Sequence, residues 1–277
     1  KEHIIRTKIV PFFGPKRMCD ISPKDVVDWQ NKMVGSYDDE GKPYSGTYLR
    51  TINNQLSAIF NHAVKYYGLG KSPAAPTIKI GERQGSEMKF WTKEQYLAFS
   101  EEVMDKPASF YAFEILYWCG LRVGELLALE PNDIDLGKCL IHVTKSYQRI
   151  RRRDVITSPK TPKSKRDVVM PEFLADELAD FLGSIPEERR ACRIFCFTKS
   201  YLHHEMKRGC AACGLEPIRI HDLRHSHVSL LIEMGFSAIA IADRLGHETY
   251  EMTLRYAHLF PSKQSDMAAA LDQRRRP

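Results

Sequence analysis

Between Thr47 and Tyr67 the apolar residues Leu49, Ile52, Leu56, Ile59, Phe60 and Ala63 return every three or four positions. That spacing lines one face of an α-helix. The pattern stops at Gly68 and Gly70, residues that end helices. Upstream, Ser22 and Pro23 stand as an N-cap and a first-turn proline ahead of VVDWQNKM, a second helix start. A small all-helical domain is expected over residues 1–75. The stretch SPAAPTIKIGERQGSE has two prolines, two glycines and little periodicity. It reads as the approach to an inter-domain linker, placed at residues 76–90.

From residue 91 to 277 the pattern is mixed. Thr92 and Gln95 form a capping-box pair that predicts a helix over KEQYLAFSEEVM. An aromatic and apolar run from Phe110 to Trp118 closes at Gly120, and GELLALE follows as a short helix. CLIHVTKSYQRI, RRRDVIT and KRDVVM show the alternation of strands. They predict a small antiparallel sheet with its turn near Ser158-Pro159-Lys160. After Pro171 the chain returns to helix, in EFLADELADFLGSI and then near residues 201–213, 221–234, 237–245 and 250–259. The fold class expected is mainly α with a small antiparallel β-sheet, an α+β chain of two domains.

Composition narrows the class. Hydrophobic residues make up 43% and charged residues 27%, as in globular proteins. No apolar run is long enough to span a membrane and no signal-peptide pattern is present. Seven cysteines are an odd number with no even disulfide framework, so reduced thiols in the cytoplasm are expected. The chain opens on Lys1 without a Met, which fits a fragment of a longer protein. Net charge is +6, and it is concentrated. Between Lys145 and Arg166 there are nine Lys and Arg residues against Asp154 alone. Such a patch is the footprint of a polyanion partner, although a solvated charge run has the same composition.

Candidate chemistry lies in a few short motifs. GLRVGELLAL puts Arg122 after a glycine turn at a helix start. HDLRH sets His221 and Arg224 three apart, on one helical face. LGH ends a helix at His247, and LRYAH offers Tyr256 nine residues later. Arginine forks match phosphate oxygens, and none of these groups needs a metal. Singly, each residue is more often structural than catalytic. The order and spacing of the whole set point to phosphoryl transfer.

GLRVGEL, a hairpin lysine, HDLRHS, LGH and Tyr-Ala-His together resemble the signature of the tyrosine recombinase (phage integrase) family, most of all the integrases of conjugative transposons. The resemblance is strong from about residue 90 to 260 and covers all six active-site positions in order. It implies a DNA clamp made of a helical core-binding domain and a catalytic domain. It also implies a site-specific recombinase that integrates and excises a mobile element through a 3′-phosphotyrosine, without cofactor, metal or ATP. By the same resemblance the catalytic set is Arg122, Lys160, His221, Arg224, His247 and the nucleophile Tyr256. Lys163 and Lys165 are neighbouring alternatives to Lys160, which is preferred because Pro159-Lys160-Thr161 lies at the expected turn. The two arginines would hold non-bridging oxygens, Lys160 would be the general acid, His221 would assist proton transfer from Tyr256, and His247 would donate to a non-bridging oxygen.

Further expectations concern the periphery. Arg151, Arg152, Arg153, Lys163, Lys165, Arg50 and Asn53 are candidate DNA contacts. Glu125 reads as a structural helix residue, with holding Arg122 as the alternative. Cys192, Cys196, Cys210 and Cys213 approach a zinc-ribbon spacing. The apolar setting of Cys196 and the helical setting of Cys210 and Cys213 argue for plain thiols. Residues from about 262 onward, with Met267, Ala270 and Leu271 as a small apolar face, are expected to be exchanged between subunits. The partners implied are double-stranded DNA at element ends and the crossover site, a synaptic tetramer, and accessory excision or DNA-bending proteins. Two rival readings remain at this level: a type IB-like topoisomerase, and a DNA-binding regulator without catalysis.

Overall fold

The computed structural model describes residues 1–82, 88–159, 161–189, 192–254 and 256. The chain forms two compact units, Lys1–Glu87 and Met88–Pro277. Among the described residues no helix is long and apolar enough to cross a membrane.

The first unit is all helical. Residues 2–13 form a helical stretch that the periodicity had not singled out. Helix α1 (Pro23–Val34) starts at Ser22, whose hydroxyl accepts from the Asp25 amide while the Asp25 carboxylate accepts from the Ser22 amide. Helix α2 (Gly46–Tyr66) is capped by Ser45. The core joins Ile9 and Phe13 to Val26, Trp29 and Met33 of α1 and to Ile52, Leu56 and Phe60 of α2. The Trp29 indole donates to the Lys8 carbonyl at 2.8 Å, which lets a polar atom sit in that core without penalty.

The unit reaches beyond residue 75 because polar side chains hold the following backbone. Gln30 Nε2 donates to the Ile78 carbonyl at 2.9 Å and Arg50 Nη1 to the Gly81 carbonyl at 3.1 Å. Asn53, expected to face DNA, is buried instead: its Oδ1 accepts from Gln30 Nε2 at 2.8 Å. The α2 periodicity misleads here, because a polar residue on the core-facing side becomes a hydrogen-bond partner and not a groove reader.

The second unit packs helices around two small sheets. Helix α3 (Lys93–Glu101) begins with the Thr92–Gln95 capping box. Helix α4 (Pro107–Trp118) is buried nearly all round, and α5 (Val123–Leu126) follows Arg122. Strands β1 (Ile134–Asp135), β2 (Leu140–Val143) and β5 (Arg166–Val169) make an antiparallel sheet in the order β1-β2-β5. Strands β3 (Ser146–Ile150) and β4 (Arg153–Thr157) form a separate hairpin. The single sheet turning near Ser158–Lys160 is therefore corrected. The hairpin pairs Ile150 with Arg153, so its turn is Arg151-Arg152, both at positive φ. That two-residue turn suits the right-handed twist of the strands. Residues 158–165 instead connect the two sheets.

Helices α6 (Glu172–Gly183), α7 (Lys199–Cys213), α8 (Asp222–Glu233), α9 (Ala238–Leu245) and α10 (Glu251–Leu254) complete the unit. Helix α8 lies against α4 and α9, and α10 against α9. The core runs from Tyr96 and Phe99 through Phe113, Ile115 and Leu116 to Leu174, Leu202 and Leu223. The Ser226 hydroxyl of α8 accepts from the Trp91 amide at 2.9 Å, tying the start of the unit to the helix that carries the His-x-x-Arg motif.

Gly120 ends α4 at φ +65°, and a Cβ there would lie 2.5 Å from the His227 ring and 3.0 Å from Leu245. Gly120→Ala therefore combines left-handed backbone strain with overpacking. It should lower the stability of this unit by about 2–4 kcal/mol, measured as a shift of the urea midpoint at constant slope.

Candidate active site

The site is assembled around one turn, Leu245-Gly246-His247, that closes α9. Gly246 sits at φ +64° in the left-handed cap of the helix, the conformation glycine adopts without steric cost. The turn leaves carbonyl oxygens pointing away from the helix, and both candidate arginines find them. Arg224 Nη2 donates to the Leu245 carbonyl at 2.7 Å, and its Nη1 to the Gly120 carbonyl at 2.6 Å. Arg122 Nη2 reaches the Gly246 carbonyl at 3.4 Å. The two guanidinium groups thus meet adjacent peptide units of one turn, although they lie about 100 residues apart in sequence.

Their settings differ. Arg224 is buried, and burial followed by the nearby charge of Arg122 pushes its pKa down to about 9. It remains a cation at neutral pH. Arg122 keeps part of its side chain open to solvent. Its Nη1 donates to Glu125 Oε1 at 2.7 Å, and its amide to Glu125 Oε2 at 3.0 Å. Glu125 is 3% exposed and is held from the other side by Arg166 Nη2 at 3.0 Å. Burial works to raise the Glu125 carboxyl, but the charges of Arg166 and then Arg122 outweigh it and hold it low. Holding Arg122 is thus the reading of Glu125 that the geometry favours. Arg166 also binds the Arg244 carbonyl at 3.0 Å and the Ser164 carbonyl at 3.2 Å. In the sequence it was one member of a basic run, with no signal to mark it as internal.

His247 follows the turn, 8% exposed, with Nδ1 at 2.8 Å from the Thr253 hydroxyl. Burial, then Arg224 and Arg122, pushes it down to about 3, so the ring is neutral at neutral pH. Thr253 Oγ1 connects it to the segment that ends at Tyr256, whose amide donates to the Thr253 carbonyl at 3.0 Å. Tyr256 is 4% exposed, packed with Val228, Ile232, Ile241 and Leu245. Its hydroxyl meets His225 Nδ1. His225 was passed over in the sequence because it stood beside the more recognisable His221-Arg224 pair. His221 opens α8 with its ring partly open to solvent. Desolvation, then the charges of His225 and Arg224, lowers its pKa. It packs edge-on against His225 with ring centroids 5.1 Å apart.

Lys160 and the tail from residue 257, with its proposed exchanged segment 262–277, lie outside the described residues. Pro159 and Thr161 line a cleft of about 290 Å³ together with Arg122, Glu125, Ser164 and Gly246. Lys163 stacks its ammonium on the Tyr250 ring, 5.5 Å from the centroid, and Lys165 is exposed. The basic window is smaller in space than along the chain. Lys145 pairs with Glu130 at 2.7 Å and Asp133 at 2.9 Å, and Arg166 with Glu125. Arg151, Arg152 and Arg153 stay at the exposed hairpin end. Cys192 and Cys196 are exposed, Cys210 is buried and Cys213 half-buried. Among the described residues no group of His, Cys, Asp and Glu is placed to hold a metal.

The phage integrase family model matches residues 89–263, and the N-terminal SAM-like domain of phage integrases matches residues 1–34. The ICEBs1 integrase of Bacillus subtilis (strain 168) is 31% identical over 98% of this chain and 76% of its own length. The integrase of Mycobacterium phage D29 is 26% identical over 97% of this chain and 71% of its own. Among solved structures, the Tn1549 transposon integrase in complex with a circular intermediate DNA superposes with a TM-score of 0.75 at 21% identity, covering 99% of this chain and 91% of that one. A λ integrase dimer bound to a COC′ core site gives 0.63 at 20%, covering 92% and 69%.

The neutral buried histidines make stability depend on pH. His227 and His247 are both pushed down to about 3, chiefly by burial. A depressed folded pKa stabilises fully above the unfolded histidine value and progressively less as pH falls towards the folded one. Stability of the second unit should therefore decline below about pH 6.5, by on the order of 1 kcal/mol per buried histidine per pH unit. Urea titrations at neutral and mildly acidic pH measure it.

Proposed function

This chain belongs to the phage integrase family, the tyrosine recombinases, and from that premise we propose that it is a mobile-element recombinase that cuts and rejoins DNA through a 3′-phosphotyrosine on Tyr256. The observation that carries the reading is the convergence on the Leu245-Gly246-His247 turn. Arg224 and Arg122 bind its carbonyls, His247 belongs to it, and Thr253 links it to Tyr256.

The chemistry follows from the groups. Tyr256 Oη attacks a backbone phosphorus, and the bond to the 5′-oxygen breaks. In the pentacovalent transition state the non-bridging oxygens gain charge. Arg122 and Arg224 are fixed cations in a partly dry setting, where such charge is stabilised without reorganisation. His247, neutral, donates a hydrogen bond from the ring nitrogen not turned to Thr253. Lys160 protonates the departing 5′-oxygen. Pro159 and Thr161 on one side and Ser164 on the other line the cleft beside Arg122, and Lys160 is preferred to Lys163 and Lys165 on its place in the family motif. The bond energy stays in the phosphotyrosine, so a 5′-hydroxyl from a partner strand reverses the step without ATP, and the six groups supply the charge that a metal would otherwise provide.

The partner is double-stranded DNA at element ends and crossover sites, as for the DNA-bound integrases of similar fold. Arg151, Arg152 and Arg153 at the hairpin end, with Lys163 and Lys165, supply phosphate contacts that position without reading sequence. Recombination of two sites calls for a synaptic tetramer on DNA, with the segment 262–277 exchanged between subunits and with accessory excision or DNA-bending proteins setting direction.

Tyr256→Phe removes one oxygen. Covalent protein–DNA adduct on a nicked, trapping substrate should disappear, while DNA affinity stays within about threefold. In the unsubstituted protein the adduct should map to Tyr256, in EDTA as well as in magnesium. An adduct on Tyr250 would overturn the assignment.

Lys160→Ala should slow cleavage by on the order of 10²-fold or more. A 5′-bridging sulfur should restore it, because a thiolate leaves without a proton. Lys163→Ala and Lys165→Ala should chiefly reduce affinity and its salt dependence. Sulfur rescue of either instead of Lys160→Ala would move the general acid to that lysine.

A further inference from the structure

We propose that His225 is the group that takes the phenolic proton from Tyr256 during attack, with the charge of Asp222 stabilising the imidazolium that forms. The inference deepens the function proposed above and rests on it. His225 Nδ1 is the ring nitrogen that meets the Tyr256 hydroxyl. The two rings lie 5.6 Å apart between centroids, tilted by 53°. The other nitrogen, Nε2, faces Asp222 Oδ1 at 3.8 Å. Asp222 is 2% exposed and is itself held by Arg219, whose Nη2 donates at 2.7 Å and whose amide donates at 3.0 Å. Tyrosine hydroxyl, imidazole and buried carboxylate therefore stand in line, from α10 side to α8 base.

The order of atoms assigns the direction of proton flow. With Nδ1 against the phenolic hydroxyl, the neutral tautomer that can accept a proton there carries its own on Nε2, the side of Asp222. As Oη bonds to phosphorus, its proton passes to Nδ1, and the imidazolium so formed faces the Asp222 carboxylate. The 5′-oxygen leaves with a proton from the general acid on the opposite side. Rejoining runs the same transfers in reverse: the attacking 5′-hydroxyl returns its proton to that acid, and Nδ1 returns its own to Tyr256. A phenol with an ordinary pKa of about 10 is neutral and weakly nucleophilic at neutral pH, so a base in contact with it is where catalysis gains most.

His221 was the expected proton acceptor; its ring packs edge-on against that of His225, which is the ring that meets the hydroxyl. Among the described residues, the titratable and charged groups around His225 include Asp222 and His221 on its own helix, Tyr256 from the following segment, and His247 from the α9 turn, with the cations Arg219 and Arg224 in the same cluster. Asp222 is the carboxylate that faces the ring.

The test uses single-turnover cleavage of a nicked DNA substrate by the whole chain, followed between about pH 5 and 9 to span the ordinary histidine range. Asn at position 225 can place a polar atom near Nδ1 but cannot take a proton. His225→Asn should therefore cleave on the order of 10²-fold more slowly and lose the fall in rate at acid pH, with DNA affinity retained. His221→Asn, whatever its rate, should keep that acid limb. The inference is overturned if His225→Asn cleaves at the unsubstituted rate, or if the acid limb disappears with His221→Asn and persists with His225→Asn. Where the Asn at 225 disturbs folding, His221→Asn decides by itself: retention of the acid limb supports the inference and its loss overturns it. Failure of the unsubstituted protein to form any Tyr256 adduct would instead overturn the proposed function itself.

Discussion

A glycine that can take a left-handed turn at position 246 is the constraint on which the site depends. The helix ending there must expose carbonyl oxygens, and those carbonyls are what hold two guanidinium groups side by side. Like charges brought together in a partly dry space repel, so the pair needs fixed acceptors on the protein until a phosphate arrives. The turn supplies them, and Glu125 with Arg166 supplies the rest. A side chain at 246 would meet the Lys163 carbonyl at 2.8 Å. The same glycine therefore also lets the segment joining the two sheets approach the site.

Under the proposed function, the electrostatics of this unit suit an anionic phosphate. The arginines stay charged, while His247 is kept neutral by burial and by the same arginines. A phosphate with growing negative charge would reverse that balance locally, strengthening each hydrogen bond to it as the transition state forms. In the proposed reaction, cations fixed in advance favour a transition state that gains negative charge over the ground state.

Asp222 and Glu125 play parallel parts. Each is an acidic residue three positions from a group that it faces: Glu125 holds Arg122 by a hydrogen bond, and Asp222 stands 3.8 Å from the His225 ring. Each is nearly fully buried and each is in turn held by an arginine, Arg219 or Arg166. The carboxylates are thus buried and charge-paired, Glu125 by an Arg166 side chain that is also buried and Asp222 by an Arg219 side chain that stays open to solvent.

Much of this protein is written locally. Helix starts at Ser22, Ser45 and Thr92 follow from side chains that cap their own backbones within three residues. The α2 face follows from the helical repeat. The motifs around Arg122, His221, Arg224, His247 and Tyr256 are short enough to read in a single pass. What the sequence could not convey is which residues share a space. Asn53 looked like a DNA reader and is a core partner of Gln30. Arg166 looked like one charge in a basic run and is a buried strut, and Lys145 in that run is neutralised by Glu130 and Asp133. The strand run split between two sheets because its turn fell at Arg151-Arg152. His225 became prominent only when Tyr256, 31 residues away, came to rest against it. Caps, periodicity and motifs act over a turn or two of chain, so they are legible in order. Burial and charge pairing depend on distance through space, and only the folded chain sets those distances.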